Sequence, residues 1–415
     1  MQASRPFAAA ALCIAAAGAF LLAPAGAALA APKLIASFIS NPTDSVSEFR
    51  PRIAGDVIVW QRGTGNGSEV MRWNGFVGVN LTSNGVADEN PETDGVHIVW
   101  QQRTGAVHDI AVHDLVTRTT TLLASSGDEV FPVISDLYVA WIERVDADGE
   151  VFIDPGPTGN QLTGNSLVES SLAFSGSNLV WSEGDDLRQT PDTSDDDHDI
   201  AVWNAEIGGL FILAGNPTDD IRPVIAGNTV VWQAGADGSG DIWIGDAFGT
   251  TSLLYDGPDE RNPDTDGARV VWEHFDGLDR ELFLIDLASP SSVVQLTTDG
   301  TDDVTPQIDG ANIVWEKKVT PGDSEIWFSW NGDAPEPLLK SRGNGRDDVR
   351  PRLDGDHFVY ESCANLGQPN ELCDVVLAPE PRATLLVAVA LATLSLLASR
   401  SARRAQVLAG IPKRR

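Results

Sequence analysis

The chain has 415 residues, with 60 acidic against 28 basic side chains and a formal net charge of −32. That surplus excludes nucleic acid and anionic membrane surfaces as partners of the folded surface. Three cysteines exclude a disulfide-dense scaffold, and 12 tryptophans with 39 glycines direct attention to a patterned, turn-rich chain.

Residues 1–30 carry Arg5, an apolar run rich in Ala and Leu, and Ala28-Leu29-Ala30 before Ala31. This reads as a secretory signal peptide. The segment Lys33 to Phe38 then reads as a strand, and from residue 48 onward one phrase recurs eight times. It consists of an acid, two variable positions, Pro, a Gly-centred turn and a short apolar run ending in an aromatic. The copies close on Trp60, Trp100, Trp141, Trp181, Trp232, Trp272, Trp315 and Tyr360. Gly sits in the turn of seven copies, as in Asp266-Gly267, because a two-residue hairpin needs positive φ. Pro opens seven, at a strand's first position where no ladder donor is required. A third strand follows each aromatic and starts with an acid, as in DIWIGD (241–246); a more variable fourth strand completes the unit.

Four strands in about 40 residues, repeated, make an all-β fold: a single β-propeller over residues 31–378. The expectation is eight four-stranded blades, or seven if the copy at 171–214, which lacks Pro and carries a long insertion, is not a blade. The last copy holds only three strands (350–353, 358–362, 373–378), so the N-terminal strand at 33–38 is expected to complete it and close the ring. The Val-Val-Trp runs are apolar at consecutive positions, which places the eight aromatics between stacked blades. Trp73, Trp243, Trp327 and Trp330 are the aromatics expected to be more exposed. Cys363 and Cys373 bracket a turn in the last blade, and in an oxidising compartment they form a disulfide.

The acids fall in two sets. Glu48, Asp88, Glu129, Glu169, Asp220, Glu260, Asp303 and Asp348 stand three residues before each Pro position. Glu69, Asp109, Glu150, Asp199, Asp241, Glu281, Glu325 and Asp374 open the third strands. Both sets are expected on one face of the disc, as two concentric rings. Either each carboxylate accepts N–H bonds in its own turn, or the first ring binds a cation or cationic ligand, with Ca²⁺ the cofactor it suggests. The insertion 184–199 offers Asp195, Asp196 and Asp197 as a weaker metal candidate. Arg50, Arg222 and Arg350 precede Pro on the same face.

The phrase Pro-x-x-x-x-Gly-x-x-aliphatic-aliphatic-aromatic, followed by a strand beginning Asp-Ile, resembles the TolB-like (PD40) propeller family over nearly all of 33–378. Pro379-Glu380-Pro381, the apolar stretch 383–399 and Arg400, Arg403 and Arg404 together resemble a PEP-CTERM sorting signal. That resemblance implies an exosortase-type partner, export to the cell surface or matrix, and a transmembrane segment that anchors the chain at least transiently; an ordinary C-terminal anchor is the alternative. No G-x-S-x-G nucleophile elbow and no H-E-x-x-H occurs, and no catalytic residue is assigned. The reading is a non-catalytic exported binding or scaffold protein of the cell surface, acting through the acidic propeller face on an extracellular polysaccharide or surface protein. The alternative is a polysaccharide-acting lyase or hydrolase with its site in the axial funnel.

Overall fold

Eight antiparallel sheets of four strands each form the protein. The computed structural model describes residues 37–40, 45–123, 127–135, 138–144, 148–154, 159–184, 198–215, 218–320, 322–338, 341, 343–368 and 371–378. Residues 1–30, read above as a signal peptide, Asp195–Asp197, Pro379-Glu380-Pro381 and the apolar stretch 383–399 lie outside the described residues. Among those described, no helix is long and apolar enough to cross a membrane.

Blade 1 runs from Glu48–Ala54 through Val57–Arg62 and Glu69–Trp73 to Gly78–Asn80. Blades 2 to 7 follow in chain order with the same innermost-to-outermost sequence of strands. The copy at 171–214 is a complete blade, the fourth, so the count is eight. Its missing Pro is tolerated because Leu172 still occupies the bulged first strand, Val168–Ser175. Innermost strands contact their successors all the way round, including Asp347–Asp354 of blade 8 against Glu48–Ala54 of blade 1.

Closure uses both ends of the repeat region. Ser37–Phe38 pairs antiparallel with Leu372–Ala378 as the fourth strand of blade 8. Ile39 then bonds both neighbours: its N–H donates to the Val375 carbonyl at 3.1 Å, and its own carbonyl accepts from Gly78 of blade 1 at 3.1 Å. Cys363 and Cys373 stand directly opposite on adjacent strands and form a disulfide, both fully buried.

The core is divided into seams. Each of eight apolar clusters joins two neighbouring blades; Trp181, for example, packs with Ala140, Val151 and Ile153 of the preceding blade. The eight repeat aromatics are all at most 2% exposed. Burying an indole of this kind contributes about 4–6 kcal/mol gross, an upper bound. Seven turn glycines (Gly55, Gly95, Gly176, Gly227, Gly267, Gly310 and Gly355) have positive φ. At Gly267 a Cβ would also meet the Ala226 carbonyl oxygen at 3.0 Å, so close approach of blade 5 reinforces the requirement.

Candidate functional site

The innermost strand of every blade is interrupted by a β-bulge just before the Pro position. The bulged residue is left-handed in all eight: Arg50, Asn90, Phe131, Ser171, Arg222, Asn262, Thr305 and Arg350, with φ between 48° and 55°. A non-Gly residue held there is strained, and the surrounding structure must fix it. In five blades the bulge N–H donates to the side chain that follows the aromatic in the preceding blade. The bonds are Arg50 to Glu361 (2.7 Å), Asn90 to Gln61 (3.2 Å), Phe131 to Gln101 (3.2 Å), Thr305 to Glu273 (2.8 Å) and Arg350 to Glu316 (2.7 Å). Four of these five bulge residues, Arg50, Asn90, Phe131 and Arg350, line one cavity together with Ser171.

The leading acids are not on the face. All eight are at most 3% exposed, and in five blades the acid's partner is the indole of its own blade, twelve residues on. Nε1 of Trp60, Trp100, Trp232, Trp272 and Trp315 donates to Glu48 (3.1 Å), Asp88 (2.8 Å), Asp220 (2.8 Å), Glu260 (2.7 Å) and Asp303 (2.7 Å). A buried indole needs an acceptor, and a carboxylate on the adjacent strand supplies a charge-assisted one. In blade 8, where Tyr360 replaces Trp, Asp348 accepts from Asn344 at 2.7 Å. The third-strand acids are buried or partly buried too. Thr82 and Thr163, two residues past the fourth strands Gly78–Asn80 and Asn160–Gln161, donate to Glu69 and Glu150 at 2.6 and 2.7 Å. Neither partner is the turn N–H expected for these acids; Glu129 and Glu325 do accept backbone N–H bonds, from Ile110 of the preceding blade at 2.8 Å and from Gly343 at 2.9 Å.

Across each blade the two acids flank one residue of the second strand. The registers read Glu48–Arg62–Glu69, Asp88–Gln102–Asp109, Asp220–Ala234–Asp241, Glu260–His274–Glu281, Asp303–Lys317–Glu325 and Asp348–Ser362–Asp374. In three blades the middle residue is basic and pairs with the leading acid: Arg62 at 3.2 Å, His274 at 2.6 Å and Lys317 at 2.9 Å. Blades 3 and 4 differ. They read Glu129–Glu143–Glu150 and Glu169–Glu183–Asp199.

Between the bulges of blades 8, 1, 2, 3 and 4 lies a cavity of about 1290 Å³, open on the face where the first strands begin. Five arginines line it: Arg50, Arg52, Arg144, Arg350 and Arg352. Arg350 is bonded to the buried Glu361 at 2.6 Å, and Arg52 pairs with Glu92. Arg144 lies over the Phe131 ring at 5.4 Å. Arg50 is exposed, and its guanidinium has no hydrogen-bonding side chain among the described residues. Burial, then the charge of Arg52, lowers its pKa. Deeper in, desolvation pulls Arg352 down to about 10 and pushes Asp264 of blade 6 up to about 7, each partly offset by the other's charge. The mouth can therefore present several guanidinium donors to a carboxylate, sulfate or phosphate.

Of the arginines marked in the sequence, Arg50 and Arg350 line this cavity, while Arg222 pairs with Asp237 at 2.7 Å in blade 5. Arg52 and Arg352 were not marked. The signal for them is Arg-Pro-Arg, which occurs at 50–52 and again at 350–352. None of Trp73, Trp243, Trp327 and Trp330 is exposed; Trp243 stacks on Trp232 at 6.3 Å. Glu361, Cys363 and Cys373 cluster closely, but the disulfide withdraws both sulfurs from any metal.

No protein-family profile matches the chain, and no curated protein does. Solved structures do. Dipeptidyl peptidase 4 of Porphyromonas gingivalis aligns with a TM-score of 0.57 at 10% identity, over 79% of this chain and 58% of its own. A prolyl endopeptidase gives 0.51 at 11%, over 80% of this chain, which spans about half (50%) of the endopeptidase. The β-propeller domain of the Trilobed protease from Pyrococcus furiosus gives 0.50 at 12%, over 72% of this chain and 99% of that one. These likenesses show a β-propeller of the kind carried by such peptidases. The Trilobed domain is described as having an open velcro topology, whereas here the N-terminal strand closes the ring.

Proposed function

We propose that the protein is a non-catalytic, exported binding or scaffold protein of the cell surface or matrix, and that it takes an anionic polymer at the arginine-lined mouth. One observation carries this reading. In a chain of net charge −32, five arginines converge on one cavity, which they share with Glu92, Asp148, Glu169, Glu361 and Glu371, and the exposed guanidinium of Arg50 has no hydrogen-bonding side chain among the described residues. An exposed guanidinium with no bonded carboxylate keeps its donor fork for a ligand of opposite charge. The TolB-like phrase supports the propeller assignment. The signal sequence and PEP-CTERM-like tail support export through an exosortase-type partner into an extracellular-polymer setting, where acidic polysaccharides are natural ligands.

The test is calorimetric titration of the purified protein with alginate oligosaccharides and, as a neutral control, dextran oligosaccharides. Binding to alginate alone is expected, weakened about tenfold or more in R50A/R350A, since a guanidinium–carboxylate bond contributes about 1.5–3 kcal/mol. Equal affinity of variant and wild type overturns the reading. Shortening of the alginate chains in the same mixture supports the lyase or hydrolase alternative instead.

A further inference from the structure

The ladder Glu169–Glu183–Asp199 puts three carboxylates directly opposite one another across three strands, at a position where other blades place Arg62, His274 or Lys317 between two acids. The neighbouring blade adds Glu129–Glu143–Glu150. Glu150 of that ladder and Glu183 are the carboxylates that act on Glu169, and neither ladder contains a base. Like charges opposed across strands are destabilising, more so when buried.

Glu169 bears this most directly. It is 3% exposed, and neither of its carboxylate oxygens has a hydrogen-bond partner among the described residues. The indole that the leading acid takes in other blades is here bonded to Glu183 at 3.0 Å. The Thr163 hydroxyl beside it, close enough to draw the Glu169 pKa down in part, gives its one proton to Glu150 at 2.7 Å. The charged groups acting on Glu169 most strongly are Glu150 and Glu183. Burial accordingly pushes its pKa to about 8, so the deficit is met by a proton unless a cation replaces it.

We propose that the seam between blades 3 and 4 binds one divalent cation of the calcium type through Glu150, Glu169 and Glu183, with the Thr163 hydroxyl as a neutral donor. All four offer hard oxygen atoms and no sulfur or nitrogen, the donor set that calcium takes and softer metals do not prefer. Three donors do not yet lie within 4.8 Å of one another, so closure requires rotation of the glutamate side chains, each with three rotatable bonds. Glu169 also borders the axial cavity, which gives the ion a path from solvent.

The test uses the purified protein, stripped with EDTA and held at pH 8. Calcium at a hundredfold excess over its Kd is expected to raise Tm by about 3–4 °C. Terbium is expected to show tryptophan-sensitised emission, because Trp181 is bonded to one of the ligands. E183K copies the Lys317 arrangement of blade 7 and is expected to melt no lower than wild type without calcium, yet to lose the calcium shift. E169Q should lose it as well, and W181F the terbium emission. The proposal is overturned if calcium neither binds nor raises Tm in wild type, or if the shift survives in both E183K and E169Q, which would place the ion elsewhere.

Discussion

Each core tryptophan carries an N–H into an apolar seam, and in five blades the leading acid answers it from the adjacent strand. The pair is mutually dependent: the indole gives the carboxylate a donor, and the carboxylate removes an orphaned N–H. Asp220 and Trp232 are both fully buried and 2.8 Å apart. Trp232→Phe removes the donor and part of the packing volume, and leaves a buried carboxylate short of a partner. The expected loss is about 3–5 kcal/mol of unfolding free energy, measured by urea denaturation. Trp141→Phe is the control, because the Trp141 Nε1 has no hydrogen-bond partner among the described residues. Its loss should be smaller by the value of one charge-assisted bond, about 1.5–3 kcal/mol. Equal losses at the two sites would remove the carboxylate from the account of stability.

At the level of strands, closure depends on very little chain. Ser37–Phe38 and Ile39 cover the edge of Leu372–Ala378 and also touch blade 1. A chain lacking residues up to Ser40 is expected to expose that edge, to melt well below wild type, and to aggregate in a concentration-dependent way on size-exclusion chromatography. C363S/C373S, which keeps the strand and loses only the staple, should cost about 2–3 kcal/mol for a loop of this length. Wild-type melting in the truncated chain would show that the ring is held elsewhere. The strand, the blade count and the cysteine pairing were legible because each rests on local pattern: period, turn glycine, apolar run, matched spacing. The partners of the acids were not, because they stand on the adjacent strand rather than in the acid's own turn. A constant separation of twelve residues between acid and aromatic was present in every copy, and in five of them it marks two side chains that are bonded. The arginine mouth was legible only in part. Arg-Pro-Arg at 50–52 and 350–352 lie 300 residues apart, and ring closure is what makes them neighbours.

Over the whole molecule, the buried acids set the dependence of stability on pH. Burial raises Glu169 to about 8, Asp264, Glu273 and Glu281 to about 7, and Asp303 and Asp348 to about 6. In the unfolded chain such groups titrate near 4, so between these limits the folded state holds protons that the unfolded state has released. Linkage then requires stability to fall as pH rises. The contribution of each protonated carboxyl is complete below its unfolded pKa and is lost as pH passes its folded value, at about 6, then 7, then 8. Asp237, held down to about 2 by its bond to Arg222, acts in the opposite sense, and its contribution is lost only in strong acid. Deprotonation also enlarges the surplus behind the net charge of −32, and self-repulsion adds to the same trend. In EDTA, Tm is therefore expected to be highest near about pH 5 and to decline through pH 8.5. Glu169→Gln, neutral at every pH, should flatten the last part of that decline, above about pH 7, and leave the earlier part in place. A Tm that climbs between pH 5 and 8 would mean that these carboxylates are ionised in the folded ring, each with a compensating cation.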